Sequence, residues 1–386
     1  MLFNRPLEVG ILSAPLIRFS IDGSLKEASI QDGKILYEGS LYSQLLFCCR
    51  QFTLYDVTIG IQFHWQRQER QVVKGELKLI VEESVLTAVN LVDIEDYLTS
   101  VISSEMSADS PAELLKAHSI ISRSWLLHPL VTPTSAHKKN MATEGKIIRI
   151  YERDKHKLYD VCADDHCQRY QGITRLTNSR VQQAIDATRG IVLCYEGEIC
   201  DARFHKCCGG RTEVFETCWN DTAHPYLESV SCEFCKKANS QDSSLNDYDK
   251  STHSYYHWQI RYTREELSDL VKKKSGIDLG LITALEPLKR GASGRIYELQ
   301  IKGTEGEVVV GKELEIRKWL STTHLFSSNF EVEQSANGFV LNGKGWGHGV
   351  GMCQMGANEM AKQGYSYLNI LKHYFPKASI LSLDKL

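Results

Sequence analysis

Five glycines at alternate positions constrain the C-terminal part of this 386-residue chain more than any other feature. They lie in the segment Gly343-Lys-Gly-Trp-Gly-His-Gly-Val-Gly-Met-Cys-Gln-Met-Gly-Ala357. Alternate glycines remove the side chains from one side of a strand or loop, so that a ligand can approach the backbone closely. The spacing does not match a phosphate-binding loop, which argues against a nucleotide. Trp346 offers a flat apolar surface and His348 a titratable group, but a structural turn around a buried tryptophan explains the pattern equally well.

Two predicted helices flank Glu105. Apolar residues between Ile94 and Ile102 recur at helical spacing. The run Ser110-Pro111-Ala112-Glu113 is a strong helix start, with a hydroxyl N-cap, a proline at the first helical position and a glutamate that can close a capping box. Glu105 therefore lies between two well-specified helices, which is a rigid position for a catalytic group. A single glutamate at such a junction more often caps a helix or faces solvent, and position alone favours that alternative.

The N-terminal part is predicted to be rich in β-strands. Before residue 88, apolar and polar residues alternate in short runs that are separated by turn signals such as Asp32-Gly33. Further strands are expected in the C-terminal half. The chain is therefore assigned to the α+β class, with a β-rich region over 1–84 and a mixed α/β region over 85–386 that contains a β-rich subdomain at about 280–341.

Twelve cysteines are many for a chain of this length, and most of them stand near another one. Short spacings favour metal binding or disulfides over isolated core thiols, and the redox compartment decides between the two. Thiolate and imidazole together are zinc ligands, so His156, Cys162, His166 and Cys167 form a candidate zinc site. The pair Cys232-x-x-Cys235 has a metal or redox spacing, but a single pair is weak evidence.

A second glycine-containing segment, Cys207-Cys208-Gly209-Gly210-Arg211-Thr212, follows a predicted strand and ends it abruptly. It is consistent with a tight backbone turn that lines a cleft. A bend closed by a disulfide explains it at least as well.

Charge and hydropathy exclude several function classes. The 45 basic and 48 acidic residues give a net charge of −3, which provides no electrostatic case for nucleic acid or an anionic membrane surface. There is no run of about 18 apolar residues, so no membrane span is predicted. The first residues alternate like a strand, so no export signal is predicted; a misplaced start codon, a removed signal and retention inside the cell stay open as explanations.

Taken in order, several segments resemble the stage II sporulation protein D family (SpoIID, with the related LytB amidase enhancers). The resemblance covers roughly residues 85–386, and the ordered set is highly specific. The segments are Val89-Asn-Leu-Val-Asp-Ile-Glu-Asp-Tyr-Leu98, Ser104-Glu105-Met106, Lys116-Ala117 through Arg123, Cys208-Gly209-Gly210-Arg211-Thr212, Pro225-Tyr226-Leu227, Ser293-Gly294-Arg295 and Gly345-Trp-Gly-His-Gly-Val-Gly-Met352 with Gln354.

The resemblance implies a lytic transglycosylase that cleaves the MurNAc–GlcNAc bond of peptidoglycan and leaves 1,6-anhydroMurNAc ends. The family's motif glutamate falls on Glu105, which would act first as acid and then as base. The resemblance also implies a zinc ion near the site, for which the matching ligands are His156, Cys162 and Cys167, with His166 as a substitute. Substrate-contacting roles fall on Arg123, Gly209, Gly210, Trp346, His348 and Gln354.

Two departures surround the implied site. Ala117-His118-Ser119 replaces the usual Ala-Gln-Ala, and Cys353-Gln354-Met355 replaces the usual Ser-Gln-Trp. Two alternatives to the transglycosylase therefore stay open. One is a non-catalytic peptidoglycan-binding protein that activates a cell-wall amidase, and the other is a thiol hydrolase that uses Cys353 near His348. A peptidoglycan substrate implies a location in the cell envelope or periplasm.

Overall fold

The computed structural model of the chain describes residues 5–61, 66–82, 84–132, 141–143, 145–151, 156–164, 167–237 and 256–386. It divides into two compact units, which are described separately. The first comprises Met1–Arg123 and Arg153–Arg189, and the second comprises Ser124–Glu152 and Gly190–Leu386.

The strands are β1 Leu7–Ala14, β2 Leu16–Ile21, β3 Ser24–Gln31, β4 Lys34–Tyr37, β5 Ser40–Tyr42, β6 Gln44–Phe47, β7 Gln51–Ile59, β8 Arg67–Lys74, β9 Glu76–Glu82, β10 Val85–Val92, β11 Met141–Thr143, β12 Lys146–Ile148, β13 Val161–Cys162, β14 Ile191–Tyr195, β15 Glu198–Ile199, β16 Phe204–His205, β17 His257–Tyr262, β18 Ile282–Arg290, β19 Ile296–Gly303, β20 Glu307–Gly311, β21 Phe330–Ser335, β22 Gly338–Lys344, β23 Met352–Cys353 and β24 Ser379–Ser382. The helices are α1 Ile94–Glu105, α2 Ala112–Val131, α3 Arg180–Ala187, α4 Phe215–Cys218, α5 Phe234–Lys237, α6 Arg264–Ser275, α7 Glu313–Trp319, α8 Gln354–Lys362 and α9 Tyr367–Tyr374.

The described residues of the first unit form two sheets, ordered β13-β1-β10-β9-β6 and β5-β4-β3-β2-β7-β8. Their strands alternate because one face packs inward, as Val9 and Phe19 do with 0% exposure. Asp22-Gly23 and Asp32-Gly33 both have positive φ angles, which suits the tight turns of β-hairpins. The predicted boundary at residues 84 and 85 falls between β9 and β10, which pair with each other in one sheet.

Two helices follow these strands, as the sequence predicted. Asp93 caps α1 by accepting a hydrogen bond from the Glu95 N–H at 2.9 Å. Later in the chain, Arg123 of α2 is fully buried and donates from Nε to Glu95 Oε1 at 3.0 Å and from Nη2 to Oε2 at 2.6 Å. This bidentate ion pair fastens α2 to the first turn of α1.

The second unit has one large hydrophobic core between Leu267 and Leu341, which includes Trp319 and Phe330 at 1% exposure. It is built by the sheets β11-β12-β20-β19-β18 and β17-β22-β21 with α6 and α7. Helix α6 begins with a capping box between Thr263 and Glu266 and ends at a left-handed Gly276.

The other elements named here in the described part of the second unit are small. They are the sheet β15-β14-β24, the parallel pair β16-β23, and helices α4, α5, α8 and α9. Helices and several sheets coexist in the chain, so the predicted α+β class is confirmed. No helix among the described residues combines the length and the apolar character that a membrane crossing requires.

The ion pair between Arg123 and Glu95 provides a test of the helical pair. We expect Arg123→Met to lower the free energy of unfolding by about 3 kcal/mol, because it leaves the Glu95 carboxylate largely buried without this cation. Urea denaturation followed by circular dichroism measures the change. Arg189→Met is the matched control, since its pair with Asp186 is exposed at 58% and 53% and should contribute nothing measurable. Equal effects of the two substitutions would contradict the assignment.

Candidate functional site

Glu105 is the last residue of α1 and is half-buried. Its Oε1 accepts a hydrogen bond from the Arg169 N–H at 3.2 Å. The preceding Ser104 accepts one from the Gln171 N–H at 3.2 Å through its hydroxyl, which itself donates to the Ser100 carbonyl at 2.7 Å. The end of α1 therefore holds the 169–171 segment, and this segment in turn fixes the orientation of the Glu105 carboxyl group.

Arg123, a predicted substrate-contacting residue, has 0% exposure and binds Glu95. Its position suits a link between α1 and α2 better than contact with a sugar. The sequence pattern placed Arg123 on the correct helix but gave no indication of Glu95 as its partner.

The structure brings His156, Cys162 and Cys167 together. Their ligand atoms all lie within 4.8 Å of one another, and the Cys167 Sγ is 3.5 Å from the His156 Nε2. Tyr159 stacks on the His156 ring at 4.6 Å between centroids. One imidazole and two thiols are suitable zinc ligands, and they fill three of the four positions around a tetrahedral ion. The fourth position stays open. His166, the predicted substitute ligand, lies outside the described residues.

A pocket of about 600 Å³ lies beside this cluster, and its lining includes His156, Tyr159, Cys162 and Tyr170. Glu105 does not line it. The lining of the pocket therefore includes two of the predicted metal ligands but not the predicted acid Glu105.

The alternate glycines of the second unit have positive φ angles of 79° at Gly345, 90° at Gly347, 86° at Gly349 and 72° at Gly351. A Cβ at Gly345 would lie 2.7 Å from the Cys207 carbonyl oxygen, and one at Gly351 would lie 2.0 Å from that of Arg203. These glycines are needed because the protein's own backbone approaches them. The geometry therefore favours the structural turn over a ligand-cradling loop for these positions.

Trp346 is half-buried in this loop. Its backbone pairs with Cys207, through hydrogen bonds of 3.1 Å and 2.8 Å in the two directions. Its ring contacts Phe326 edge-on, with centroids 4.8 Å apart. The tryptophan is therefore held firmly while part of its side chain remains exposed.

His348 packs its ring against Trp219 at 4.9 Å and His205 at 5.7 Å between centroids. Its Nδ1 accepts a hydrogen bond from the Val350 N–H at 3.0 Å, which assigns the proton of the neutral ring to Nε2. Burial, reinforced by His205 and Arg203, holds the pKa of His348 well below its usual range. His348 is therefore a neutral group at physiological pH.

The turn at Gly209 and Gly210 packs against the glycine-rich loop. Their φ angles are 77° and 111°. A Cβ at Gly209 would lie 3.1 Å from the Gly345 nitrogen, and one at Gly210 would lie 3.0 Å from the Tyr256 hydroxyl. The two segments that the sequence marked separately therefore form one structure.

Two buried charged side chains form hydrogen bonds with these two segments and with the adjacent residues 292–293. Arg295 has 0% exposure and donates from Nε to the Gly347 carbonyl at 3.1 Å and from Nη1 to the Cys208 carbonyl at 3.2 Å. Glu213, also at 0% exposure, accepts hydrogen bonds from the Ala292 N–H at 2.9 Å and the Ser293 hydroxyl at 2.6 Å. Ser293-Gly294-Arg295, which is uninformative as a short motif, is therefore structurally central.

Gln354 and Cys353 are both buried. Gln354 is the first residue of α8 and is 3% exposed, which leaves little surface for its predicted contact with a sugar. Cys353 has 0% exposure, and its Sγ accepts hydrogen bonds from the backbone of Cys208 at 3.3 Å and Gly356 at 3.4 Å. A thiol in this position cannot reach a substrate, so the geometry speaks against the thiol hydrolase.

The predicted residues thus form two sets. Glu105, Arg123 and the three metal ligands belong to the first unit. Gly209, Gly210, Trp346, His348 and Gln354 belong to the second.

Comparison with known proteins identifies the first set with a family. A profile described as Stage II sporulation protein (SpoIID) matches residues 82–195, the segment that carries Glu105 and the three predicted metal ligands. This chain contains a SpoIID family domain over residues 82–195. A domain of unknown function (DUF8618) matches residues 213–351 of the chain, from Glu213 to the last alternate glycine.

Individual relatives of this chain are moderately similar to it. A Stage II sporulation protein D of Bacillus amyloliquefaciens is 29% identical over 300 residues, which cover 77% of this chain and 76% of the relative. An uncharacterised protein of Brachyspira hyodysenteriae is 28% identical over 312 residues, or 81% and 73% of the two chains. An amidase enhancer of Bacillus subtilis is 25% identical over 233 residues, which cover 53% of this chain and 33% of the enhancer.

One prediction concerns Gly349. A Cβ there would lie 2.5 Å from the Arg295 guanidinium, whereas at Gly364, with a similar φ of 87°, nothing lies within 4 Å. We expect Gly364→Ala to lower the free energy of unfolding by about 1 kcal/mol through backbone strain alone. Gly349→Ala should lower it by about 2 kcal/mol more, because Arg295 must also move. Denaturant titration of both variants measures the difference, and equal losses would refute the role of Arg295.

A second prediction concerns pH. His205 is 4% exposed, and burial, reinforced by Arg295, lowers its pKa to about 3. Between pH 6.5 and 3 the unfolded chain binds a proton at this residue that the folded chain does not bind. Stability should therefore fall on acidification below about pH 6.5, by roughly 1.4 kcal/mol per pH unit for each such histidine.

Urea titrations between pH 7 and 4.5 measure this slope. His205→Gln should make it shallower by up to that amount, whatever its effect on stability at pH 7. His257→Gln, at an exposed histidine, is the matched control substitution. An unaltered slope in the His205 variant would show that His205 is not held neutral by burial.

Proposed function

We propose that this chain is a lytic transglycosylase that cleaves the MurNAc–GlcNAc bond of peptidoglycan, with Glu105 as a single acid and base. The observation that carries the proposal is the carboxyl group of Glu105, fixed at the end of α1 by the Arg169 N–H within the segment that matches the SpoIID family. The match of residues 82–195 to that family and the similarity to an amidase enhancer support a cell-wall role.

The reaction needs only one carboxyl group. Protonated Glu105 donates its proton to the bridging oxygen, the glycosidic bond breaks, and the MurNAc ring becomes oxocarbenium-like. The Glu105 carboxylate then takes the proton from the C6 hydroxyl of the same sugar, and its oxygen bonds to C1. The products are a GlcNAc hydroxyl end and a 1,6-anhydroMurNAc end, with no water consumed and Glu105 protonated again.

Different residues have different parts in this proposal. Trp346 remains the best candidate for stacking on a sugar ring, since it is half-exposed and its backbone is anchored to Cys207. Arg123 and Gln354 are buried and support the structure around them. His348 contributes a neutral ring.

The cluster of His156, Cys162 and Cys167 is proposed to bind zinc. The three ligand atoms fit a tetrahedral ion, and the cluster ends two residues before Arg169, whose N–H holds Glu105. Zinc there would order the segment that positions the acid. Glu105 performs both proton transfers itself.

The proposed substrate places the protein in the cell envelope. The similarity to an amidase enhancer favours one alternative, in which the chain binds peptidoglycan and activates a cell-wall amidase without cleaving glycan. The two functions differ in their products, because only the transglycosylase creates anhydro ends.

The decisive variant is Glu105→Gln, which preserves the shape of the side chain and an acceptor for the Arg169 N–H but removes the acid. We expect it to reduce formation of anhydro ends by about 10²–10⁴-fold. Purified protein is incubated with glycan strands, with and without stem peptides, and the products are analysed by mass spectrometry. Glu113→Gln, at a carboxylate of α2 paired with Lys116, is the control and should retain activity.

The same preparations distinguish the alternative. Each is added to a purified cell-wall amidase acting on intact peptidoglycan, and release of stem peptides is followed. Stimulation by both wild-type and Glu105→Gln protein, with no anhydro ends from either, would replace the transglycosylase with the activator. Anhydro ends that persist undiminished in Glu105→Gln would remove Glu105 from the mechanism.

A further inference from the structure

Four cysteine thiols meet in the second unit, and none of them has a part in the proposed reaction. Their Sγ atoms all lie within 4.8 Å of one another, and the four residues have exposures of 0–2%. We call this group, Cys208, Cys232, Cys235 and Cys353, the cysteine tetrad. Cys208 lies in the turn Cys207-Cys208-Gly209-Gly210, which we call the Cys-Cys turn. Cys232 precedes α5, Cys235 is the second residue of α5, and Cys353 is the last residue of β23.

The spacing of the tetrad fits a metal better than disulfides. A disulfide joins its sulfurs at about 2.05 Å in isolated pairs, whereas four thiolates around one tetrahedral zinc ion lie about 3.8 Å apart, because each Zn–S bond is about 2.3 Å long. Cys208 Sγ and Cys235 Sγ are 3.4 Å apart. A single ion requires all four sulfurs to lie close to one another, whereas two disulfides require only that the two sulfurs of each bond be close.

The surroundings of the tetrad are those of metal-bound thiolates. The Cys353 Sγ accepts N–H bonds from Cys208 at 3.3 Å and Gly356 at 3.4 Å. The hydroxyl of the fully buried Tyr374 lies 3.1 Å from the Cys232 Sγ. Such donors orient and stabilise thiolate ligands. A Cβ at Gly356 would lie 2.6 Å from the Cys232 Sγ, so glycine gives the sulfur room.

We propose that the cysteine tetrad binds one zinc ion in a closed, all-sulfur structural site. Soft thiolate ligands in a tetrahedral set select zinc, and four protein ligands leave no position for a substrate. The proposal is independent of Glu105 and of the zinc proposed at His156, Cys162 and Cys167.

The zinc ion stabilises elements that are too small to be stable alone. Helix α5 has four residues, and the strands β16 and β23 have two each. Cys208 adjoins Cys207, whose backbone pairs with Trp346, and Cys353 closes the glycine-rich segment. One ion therefore fastens α5, the Cys-Cys turn and the end of the glycine-rich segment to one another.

The test uses the full-length chain with the other candidate site removed by His156→Ala and Cys167→Ser. Protein produced with added zinc is analysed for metals by mass spectrometry and for zinc ligation by X-ray absorption. We expect about one zinc ion per chain with a sulfur-only shell at about 2.3 Å. Adding Cys235→Ser should remove that zinc, whereas adding Cys194→Ser, at a buried cysteine outside both groups, should not.

Several results would overturn the proposal: no bound zinc in the double variant, a shell containing nitrogen or oxygen, iron in place of zinc, or a disulfide within the tetrad in unreduced protein. If the Cys235 variant does not fold, the ligand shell in the double variant still decides. If the unsubstituted protein forms no anhydro ends although the double variant has an intact sulfur shell, the result counts against the transglycosylase and not against the tetrad.

Discussion

The loops of the second unit depend on two charges that have no access to water. Arg295 and Glu213 are fully buried, and both bind Ser293. Burying an ionised group is costly unless hydrogen bonds replace its water, and here backbone groups provide most of them. Arg295 binds the carbonyls of the Cys-Cys turn and of Gly347, and Glu213 accepts from backbone N–H groups near Gly291. If either loop moved away, a buried charge would lose the hydrogen bonds that replace its water.

The glycine pattern follows from this packing. Arg295 occupies the space that a side chain at Gly349 would need, and backbone carbonyls occupy the space beside Gly345 and Gly351. The residues between the glycines then project in fixed directions, with Trp346 half-exposed and His348 packed against Trp219. The glycines are therefore required by contacts within the protein. A ligand at this loop would contact the side chains between the glycines.

Local patterns predicted local structure well. The capping signals and helical spacing placed α1 and α2, and Glu105 ends α1. The short spacing between His156 and Cys167 also predicted that these side chains would meet. Periodicity carries no information about partners that are distant in the chain. The ion pair of Arg123 with Glu95 and the meeting of Cys208 with Cys353 were therefore not predicted, although the cysteine at 353 in place of the family's usual serine was a usable signal.

The order of the tetrad along the chain has a consequence for biosynthesis. Cys208, Cys232 and Cys235 are synthesised well before Cys353, so a ribosome or a secretion channel presents three thiols before the fourth is available. During that interval a nascent chain is open to the wrong partner, whether another cysteine or a small-molecule oxidant. Maturation of this protein would therefore depend on how reducing its surroundings are until Cys353 has emerged.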